Sequence, residues 1–514
     1  MGVLLIVAAA GAGSCQAGKD GGRMTESTTI KLVLEKELPG RLTSCPLLRR
    51  GGPNGTSWSM TCAALEPRAS QKGQVTVVLT WDVQRPSAAP SALRDFEVPP
   101  GCQLGAGDVD GDRRDELIVV DLEGRVRVYN GEGRMRAGFP TPASPGLFLL
   151  GPPAVSRLGD SALGDIVCLS GDVAIWGSTS QLSVIDAAGK PRPPFPITLS
   201  PPAARPPVFV SQGRAGPQGI VFAQRDGAVA SIGLDGKVGR LGGLPGNGPP
   251  AWLAAADVNG DGADEILLAY GGHTIQCVQR TGRALAPWPL RLEGAAFTAV
   301  AAGTAAGGKG VVCAYDQTAQ QFLFMDASAR PLRAVATGRR TGCALTHLSA
   351  LQPPSGEGCL FVALVYCGGS QNVDAAFCLH ATPEMRQENQ RYAQALRASS
   401  RDREPLNPAD SRDIETNVRE YKWSQLVTQF GQKKADELVS HGRGTEVWVF
   451  DSAGRLLGSK PLVIPALHPF VDQRGKIAAP PATRPDGRAG GWLLLMGLND
   501  PAGGNGRLML YSIR

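Results

Sequence analysis

Short segments in which apolar and polar residues alternate follow one another along most of this 514-residue chain. The pattern is clearest at residues 117–120 and 126–129, which are joined by a turn at 121–124. A period of two predicts β-strands, and two such runs around a tight turn predict a hairpin. Long helical periodicity is almost absent, so we expect an all-β protein. Strands that open similar units are predicted at residues 165–169, 219–223, 265–269 and 310–315.

A short turn that ends in Gly and a basic residue recurs after the second strand of these units. Six copies are present, one of them with Ala in place of Gly, and their last two residues are 133–134, 189–190, 236–237, 282–283, 329–330 and 454–455. Glycine supplies the positive φ that a tight hairpin needs. The first five copies lie 56, 47, 46 and 47 residues apart. Strand-containing units repeated at about 45 residues are typical of β-propeller blades.

The number of blades depends on how the N-terminal strands are used. Six units carry the turn, and the last strands, at 492–496 and 507–513, need a partner to complete a seventh. A strand at 28–38 or 74–81 is the natural donor, because a closed ring leaves no exposed sheet edge. We therefore expect a seven-bladed β-propeller over residues 28–514. Eight blades are the alternative if both N-terminal strands build a blade of their own.

Residues 382–442 differ from the rest of the chain. They are polar and helical in pattern, with Pro383 at a favourable first-turn position after Thr382 and Ser411 able to cap a second helix. We interpret this stretch as a helical insertion in a late blade. Two roles stay open, a lid over a blade edge and a dedicated docking element.

Two loops combine oxygen-bearing side chains at odd positions with glycine, immediately before a predicted strand. Positions 1, 3, 5 and 9 are Asp108, Asp110, Asp112 and Glu116 in one loop, and Asp257, Asn259, Asp261 and Glu265 in the other. Alternate residues of a tight loop can point inward together, and an all-oxygen cage suits Ca²⁺. An EF-hand is excluded because position 12 is Leu268 and a strand follows in place of a helix. We expect two Ca²⁺ sites; the alternative is an acidic turn that caps a strand in solvent.

The loop, the hairpin after it and the turn that leads to an aromatic-Pro pair resemble the FG-GAP and VCBS repeats of integrin-alpha-like β-propellers. The aromatic-Pro pairs stand at 139–140, 195–196 and 288–289. The resemblance covers residues 98–514 and implies a propeller fold with Ca²⁺ in its loops. It says little about function, because both binding modules and Ca²⁺-dependent lyases look like this family.

The first fifteen residues resemble a bacterial lipoprotein signal, because an apolar run precedes small residues and Cys15. The segment departs from that pattern in two ways: no Lys or Arg precedes the apolar run, and the run is short. Residues 16–27 are polar and predict a flexible tether. We expect an exported protein of the cell envelope, either anchored in the membrane only through a lipid on Cys15 or free in the periplasm or outside the cell.

Composition and motifs argue against several classes of function. A net charge of +6 without a basic stripe argues against nucleic-acid binding. No HExxH, GxSxG or P-loop pattern occurs, and the five histidines are scattered. We expect a non-enzymatic, monomeric Ca²⁺-binding propeller that binds an envelope protein or glycan or acts as a scaffold. The alternatives are a propeller-fold enzyme such as a Ca²⁺-dependent polysaccharide lyase, and a purely structural envelope component.

Overall fold

The structure is a computed structural model of the chain. Its described part is made of β-sheets and two α-helices, so the all-β expectation is confirmed there. The described residues are 4–9, 30–38, 46–51, 57–67, 74–85, 87–98, 102–121, 123–143, 147–149, 151–158, 163–172, 179–211, 218–241, 249–270, 272–305, 307–337, 343–351, 358–367, 377, 381–401, 408–431, 435, 444–458, 461–465, 468–469, 485–486, 491–499 and 506–513.

Eight sheets follow one another in chain order among these residues. Two N-terminal strands that belong to the eighth sheet come first, β1 (Leu4–Ala9) and β2 (Ile30–Glu37). The first sheet contains β3 (Leu47–Gly51), β4 (Ser57–Pro67), β5 (Gln74–Asp82) and β6 (Ser91–Val98). The second contains β7 (Gln103–Gly107), β8 (Glu116–Val120) and β9 (Val126–Tyr129).

The middle sheets repeat the same antiparallel plan. The third contains β10 (Leu147–Leu149), β11 (Ala154–Ser156), β12 (Asp165–Asp172), β13 (Ser180–Ile185) and β14 (Ile197–Leu199). The fourth contains β15 (Val208–Ser211), β16 (Gln218–Ala223), β17 (Val229–Ile232) and β18 (Val238–Leu241). The fifth contains β19 (Trp252–Ala256), β20 (Glu265–Ala269), β21 (Thr274–Val278) and β22 (Leu290–Arg291).

The last three sheets complete the described body. The sixth contains β23 (Phe297–Thr304), β24 (Gly310–Asp316), β25 (Gln321–Asp326) and β26 (Pro331–Ala336). The seventh contains β27 (Cys343–Leu351), β28 (Leu360–Cys367), β29 (Gly444–Phe450) and β30 (Leu462–Pro465). The eighth joins β1 and β2 to β31 (His468–Pro469), β32 (Pro485–Asp486), β33 (Gly491–Asn499) and β34 (Gly506–Ile513).

The eighth sheet is built from both ends of the chain. Strand β2 pairs antiparallel with β34, with Ile30 opposite Ile513 and Glu37 opposite Arg507. Strand β1 pairs antiparallel with β33 and parallel with β32. The N-terminal strand β5, by contrast, lies inside the first sheet, between β4 and β6.

Most neighbouring sheets pack through strands that come early in each sheet. Strand β3 contacts β7, β7 contacts β11, β15 contacts β19, β19 contacts β23, and β23 contacts β27. The third and fourth sheets share one hydrophobic core, which contains Leu169 and Phe222. The eighth sheet contacts both the seventh sheet, through β29 and β31, and the first sheet, through β1 and β3. Each sheet therefore has the sheet before it and the sheet after it as packing neighbours.

The aromatic residues of the three aromatic-Pro pairs are buried between sheets. Phe139, Phe195 and Trp288 are each less than a tenth exposed. The indole Nε1–H of Trp288 donates a hydrogen bond to the carbonyl oxygen of Ala327, in the next sheet, at 3.0 Å. A buried aromatic ring whose polar atom has a partner adds apolar area without leaving an unsatisfied donor. These residues therefore tie successive sheets together.

Two helices, α1 (Pro383–Arg401) and α2 (Pro408–Phe430), lie between β28 and β29 of the seventh sheet. The hydroxyl of Thr382 accepts a hydrogen bond from the backbone N–H of Met385, so Thr382 caps α1. The rings of Tyr392 and Tyr421 stack with centroids 4.1 Å apart and hold the two helices together. Among the described helices, neither is both long and apolar enough to cross a membrane.

The predicted N-terminal leader is described only in part. Residues 4–9 form β1 of the eighth sheet in this chain, and removal of a leader at Cys15 would take that strand away. Cys15 and the predicted tether at 16–27 lie outside the described residues. Export and lipidation therefore stay predictions.

Candidate metal sites in two loops

The two predicted metal loops occupy the same place in their sheets. The first loop (residues 108–116) joins β7 to β8 in the second sheet, and the second loop (residues 257–265) joins β19 to β20 in the fifth. In each, the last residue opens a strand: Glu116 pairs with Gly107, and Glu265 pairs with Ala256. The strand ladder therefore fixes both ends of each loop.

The aspartate at position 1 is held by backbone N–H groups of its own loop. Asp108 accepts hydrogen bonds from the N–H of Gly111 at 2.6 Å and of Arg113 at 3.1 Å. Asp257 accepts the equivalent bonds from Gly260 at 2.7 Å and from Gly262 at 3.0 Å. A short carboxylate that binds N–H groups two to five residues ahead closes the backbone into a turn. Both carboxylates therefore point into their loops.

The glutamate at position 9 faces inward from the start of the second strand. Glu116 accepts a hydrogen bond from the N–H of Val109 at 2.8 Å, and Glu265 accepts one from Val258 at 2.9 Å. Both residues are about 2% exposed. Burial raises the pKa of each of these carboxyls to about 7, although the backbone N–H bonds oppose the shift. A bound cation would favour the ionised forms.

A second pair of carboxylates, at position 8, was missed by the sequence interpretation. Asp115 accepts hydrogen bonds from the backbone N–H and from Nη2 of Arg50, at 2.9 and 3.3 Å. Asp264 accepts one from the N–H of Ser211 at 2.7 Å. Both partners lie in the first strand of the preceding sheet. The Asp-Glu pair that ends both loops was the visible signal, with the Asp binding the neighbouring sheet and the Glu facing inward.

The structure brings three predicted ligands of the first loop together. Asp108, Asp110 and Glu116 each offer an oxygen atom, and these atoms lie within 4.8 Å of one another. Asp112 is not part of this group; its Oδ1 accepts the N–H of Arg114 at 2.7 Å.

The second loop is joined by an amide where the first has a carboxylate. Nδ2 of Asn259 donates to Asp261 Oδ2 at 2.9 Å and to Glu265 Oε1 at 2.8 Å. Two carboxylates, Asp261 and Glu265, therefore meet the amide nitrogen of Asn259, whose oxygen accepts the N–H of Asp261. Among the described residues, three carboxylates lie within 4.8 Å of one another in the first loop and not in the second. All four side chains carry oxygen atoms, and such a donor set fits Ca²⁺, which prefers carboxylate and amide oxygens in irregular geometry.

Arginines surround the first loop. Nη1 of Arg136 donates to Asp110 and lies 4.0 Å from Glu116 Oε1. Nη2 of Arg157 lies 3.8 Å from Asp108 Oδ2. Burial acts to raise the pKa of Asp110, but the bonds from Arg136 and from the backbone of Asp112 bring it below its usual value. The first loop therefore already contains cationic partners.

The second loop has no such partners within the part of the chain that the structure describes. There, no basic side chain forms an ion pair with Asp257, Asp261 or Glu265. The neighbouring Asp264 is partly buried, and burial raises its pKa, with the Ser211 N–H acting against that shift. The second loop is therefore a concentration of negative charge.

The third sheet has one carboxylate and one arginine at positions equivalent to those of the first loop. Asp165 pairs with Ser156 across the ladder, as Glu116 pairs with Gly107. Its Oδ1 lies 3.1 Å from Nε of Arg192, which follows the hairpin as Arg136 does in the second sheet. One carboxylate with one arginine thus takes the place of the larger cluster.

Comparison with known proteins adds no family. No protein-family model matches the chain, and no curated protein matches it. Among solved structures it aligns with the computationally designed Ika8 protein, at a TM-score of 0.37 and 13% identity, covering 66% of this chain and 87% of that chain. It also aligns with BBS1N in complex with ARL6DN, at 0.38 and 11% identity, covering 80% of this chain and 91% of that chain.

A third alignment is with a protein of unknown function from Bacteroides caccae, at a TM-score of 0.28 and 14% identity. It covers 50% of this chain and 89% of that chain. At such low TM-scores none of the three alignments bears on the fold or function of this protein. The resemblance to FG-GAP and VCBS repeats stays a prediction.

Proposed function

We propose that the eight sheets are the blades of one closed β-propeller. The support is the packing order: each sheet packs against the sheet before it and the sheet after it, and the eighth sheet contacts both the seventh and the first. The sequence count of seven treated the N-terminal strands as donors to the last blade. The proposal of eight gives β3–β6 a blade of their own and lets β2 complete the last one.

Deletion of residues 30–37 tests ring closure. Because β2 pairs with one edge of β34, its loss leaves that edge of the eighth sheet uncovered and the last blade incomplete. We expect the single cooperative thermal transition of the full chain to broaden or split, measured by calorimetry. An unchanged single transition would contradict closure through this strand.

We further propose that the protein is a non-enzymatic, extracytoplasmic calcium-binding propeller that binds an envelope protein or glycan. The observation that carries the calcium part is the second loop, whose three carboxylates and one amide form no ion pair with a basic side chain among the described residues. When bound, Ca²⁺ supplies the positive charge that such a cluster needs. Asp257, Asn259, Asp261 and Glu265 would hold it, and Glu265 would link it to the start of β20.

The envelope part of the proposal is supported by the sequence alone. The apolar segment before Cys15 favours export, with a lipid on that residue as the membrane contact. A propeller presents loops at both ends of its blades, and binding residues are concentrated in loops held by a rigid scaffold. We propose a monomer with no role in nucleic-acid binding.

The test is a pull-down from cell-envelope fractions with the full chain as bait, in Ca²⁺ and in EDTA. Retention of one defined protein or glycan in Ca²⁺, with loss in EDTA, is the expected result. A matched bait carrying D257N and E265Q should behave in Ca²⁺ as the wild type does in EDTA. If nothing is retained in Ca²⁺, the binding function is wrong; if EDTA and the variant change nothing, calcium has no part in it.

A further inference from the structure

We infer that the first loop does not bind calcium, because arginine side chains are the built-in counter-ions of its carboxylates. This inference rests on the proposed calcium function and decides which of the two predicted sites performs it. The residues at positions 1 and 9 accept equivalent backbone hydrogen bonds in the two loops. The difference lies in the residues that surround the carboxylates.

The first difference is inside the loop. Position 7 is Arg114, whose Nε lies 3.7 Å from Asp112 Oδ2. In the second loop the same position is Ala263, whose N–H makes the equivalent backbone bond, to Asp261 Oδ1 at 2.8 Å. The backbone contact is kept and the positive charge is absent.

The second difference comes from the exit of the hairpin. The N–H of Arg136 donates to the carbonyl oxygen of Val128 at 2.9 Å, and its side chain reaches Asp110 and Glu116. The residue with the equivalent backbone bond in the fifth sheet is Leu285, whose N–H donates to Cys277 at 3.0 Å. An arginine that binds two loop carboxylates is thus replaced by an apolar residue.

The third difference comes from the next sheet. Gly164 and Gly310 occupy equivalent positions, because each lies against the backbone of the loop in the preceding sheet, Gly164 at Val109 and Gly310 at Val258. Continuing the strand pairing places Arg157 opposite Gly164, and Thr304 pairs with Gly310. Arg157 and Thr304 therefore correspond. Arg157 contributes a charge 3.8 Å from Asp108, and Thr304 is uncharged.

The fourth difference comes from the preceding sheet. Asp115 and Asp264 donate their N–H groups to the carbonyl oxygens of Arg50 and Ser211, so these two residues correspond. The residues before them are Arg49 and Val210. Arg49 is 6% exposed, and its Nε and Nη1 have no hydrogen-bond partner among the described residues. The charges of Asp115 and Glu116 act on it, and it adds a buried cation beside the first loop.

The charges of the first loop are therefore balanced from within. Its four predicted ligands face four arginines: Arg49, Arg114, Arg136 and Arg157. A divalent ion placed there would be repelled by guanidinium groups that already use the carboxylate oxygens. The second loop has a neutral residue at every one of these places: Val210, Ala263, Leu285 and Thr304. Ca²⁺ binding is thus favoured in the second loop and opposed in the first.

Calorimetric titration of the full chain with CaCl₂ tests this inference through the number of ions bound. We expect one ion per chain for the wild type. L285R places an arginine beside the second loop and should weaken binding by at least about tenfold. R136L/R157T removes two cations from the first loop and should create a second site. D226N, which alters the exposed Asp226–Arg240 pair of the fourth sheet, is the control and should bind as wild type does.

The outcomes separate this inference from the function on which it rests. A wild-type chain that binds no calcium contradicts the calcium function itself. Two ions per wild-type chain, or one ion that L285R leaves at full affinity, overturns the inference while the calcium function stands. Circular dichroism and the melting temperature of each variant show whether it is folded. If R136L/R157T does not fold, the number of ions bound by the wild type and the affinity of L285R still decide the inference.

Discussion

The first and second loops have a similar backbone and differ in charge. Arginines balance the carboxylates of the first loop, whereas the carboxylates of the second loop have no such partners among the described residues. Asp108 and Asp257 close equivalent turns, and Glu116 and Glu265 are buried at equivalent strand starts. Around the first loop four arginines approach, whereas the places around the second are neutral. A metal-loop motif and its ability to bind metal are therefore separate properties. The motif is local in the sequence, and the charge balance depends on three neighbouring segments.

The largest effect should come from the contacts with the preceding sheet. D115A removes a carboxylate that accepts two hydrogen bonds from Arg50, and the side chains of both residues are only 10% exposed. We expect this substitution to lower the free energy of unfolding by about 3–5 kcal/mol. D264A removes one backbone bond, from Ser211, and should cost about 1–3 kcal/mol. Urea unfolding measures both. Equal losses would mean that Arg50 adds nothing to the anchoring of the first loop.

The next largest effect should come from substitution of Arg136, the arginine that follows the hairpin of the second sheet. R136L leaves Asp110 and Glu116 without this cation, and we expect the free energy of unfolding of the calcium-free protein to fall by about 1–2 kcal/mol. The loss is smaller than for breaking a fully buried ion pair, because Arg136 is partly exposed. Part of that loss should be recovered on adding Ca²⁺. The melting temperature with and without Ca²⁺ checks this. Because the second loop also binds Ca²⁺ in the wild type, a Ca²⁺-induced rise no larger in R136L than in the wild type would show that the first loop cannot take a metal even without Arg136.

A smaller effect should appear in the dependence of stability on pH. The carboxyls of Glu116 and Glu265 have a pKa of about 7 in the folded chain against an ordinary value of 4.5. Between these values the unfolded chain releases protons that the folded chain keeps, so the free energy of unfolding of the calcium-free protein falls as the pH rises through this window. E116Q and E265Q should each flatten that slope.

The same experiment in the presence of Ca²⁺ should distinguish the effects of Glu116 and Glu265 on stability. Because Ca²⁺ binds the ionised form of Glu265, its stabilising effect should grow from about pH 5.5 to about pH 7.5, and E265Q should remove most of that growth. E116Q should leave the growth intact. Urea unfolding in Ca²⁺ and in EDTA across this range gives the measurement, and equal behaviour of the two variants would contradict the difference between the loops.

The smallest effect on stability should come from the sixth residue of each loop. Arg113 and Gly262 occupy this position with φ of 70° and 91°, in the region that favours glycine. R113G should change stability by less than about 1 kcal/mol, in the stabilising direction, because strain relief exceeds the added chain entropy. G262A should cost about 1 kcal/mol, since a Cβ there meets no atom within 4 Å and only the backbone is strained. Chemical denaturation of the pair in EDTA checks both signs.

The strands beside the loops could be predicted from the sequence because they combine apolar β-branched runs with glycine-containing turns. Glu116–Val120 and Glu265–Ala269 lie where the pattern places them. The strands before the loops were not visible as a repeat. Trp252–Ala256 reads WLAAA and Gln103–Gly107 reads QLGAG, and Ala and Gly carry little β-strand signal. These first strands contact the neighbouring sheets, where small side chains allow close packing.

The site could be predicted only as far as its local part. The positions of Asp108, Asp257 and the two glutamates follow from the spacing of the motif, and the structure turns all four inward. The arginines could not be found in the same way. Arg136 follows the hairpin of the loop's own sheet, but Arg49 and Arg157 come from the sheets before and after it, so no spacing rule connects those two to the first loop. Only the packing of one sheet on the next brings Arg49 and Arg157 there.

The pairing of β2 with β34 has a consequence for how the chain is made. Residues 30–37 leave the ribosome early, while their partner at 506–513 is synthesised about 470 residues later. At ordinary rates of translation this strand waits about half a minute to a minute and a half with its hydrogen-bonding groups uncovered. A circular permutant that joins residue 513 to residue 30 through a short linker and opens the chain between two other sheets would make this strand pair first.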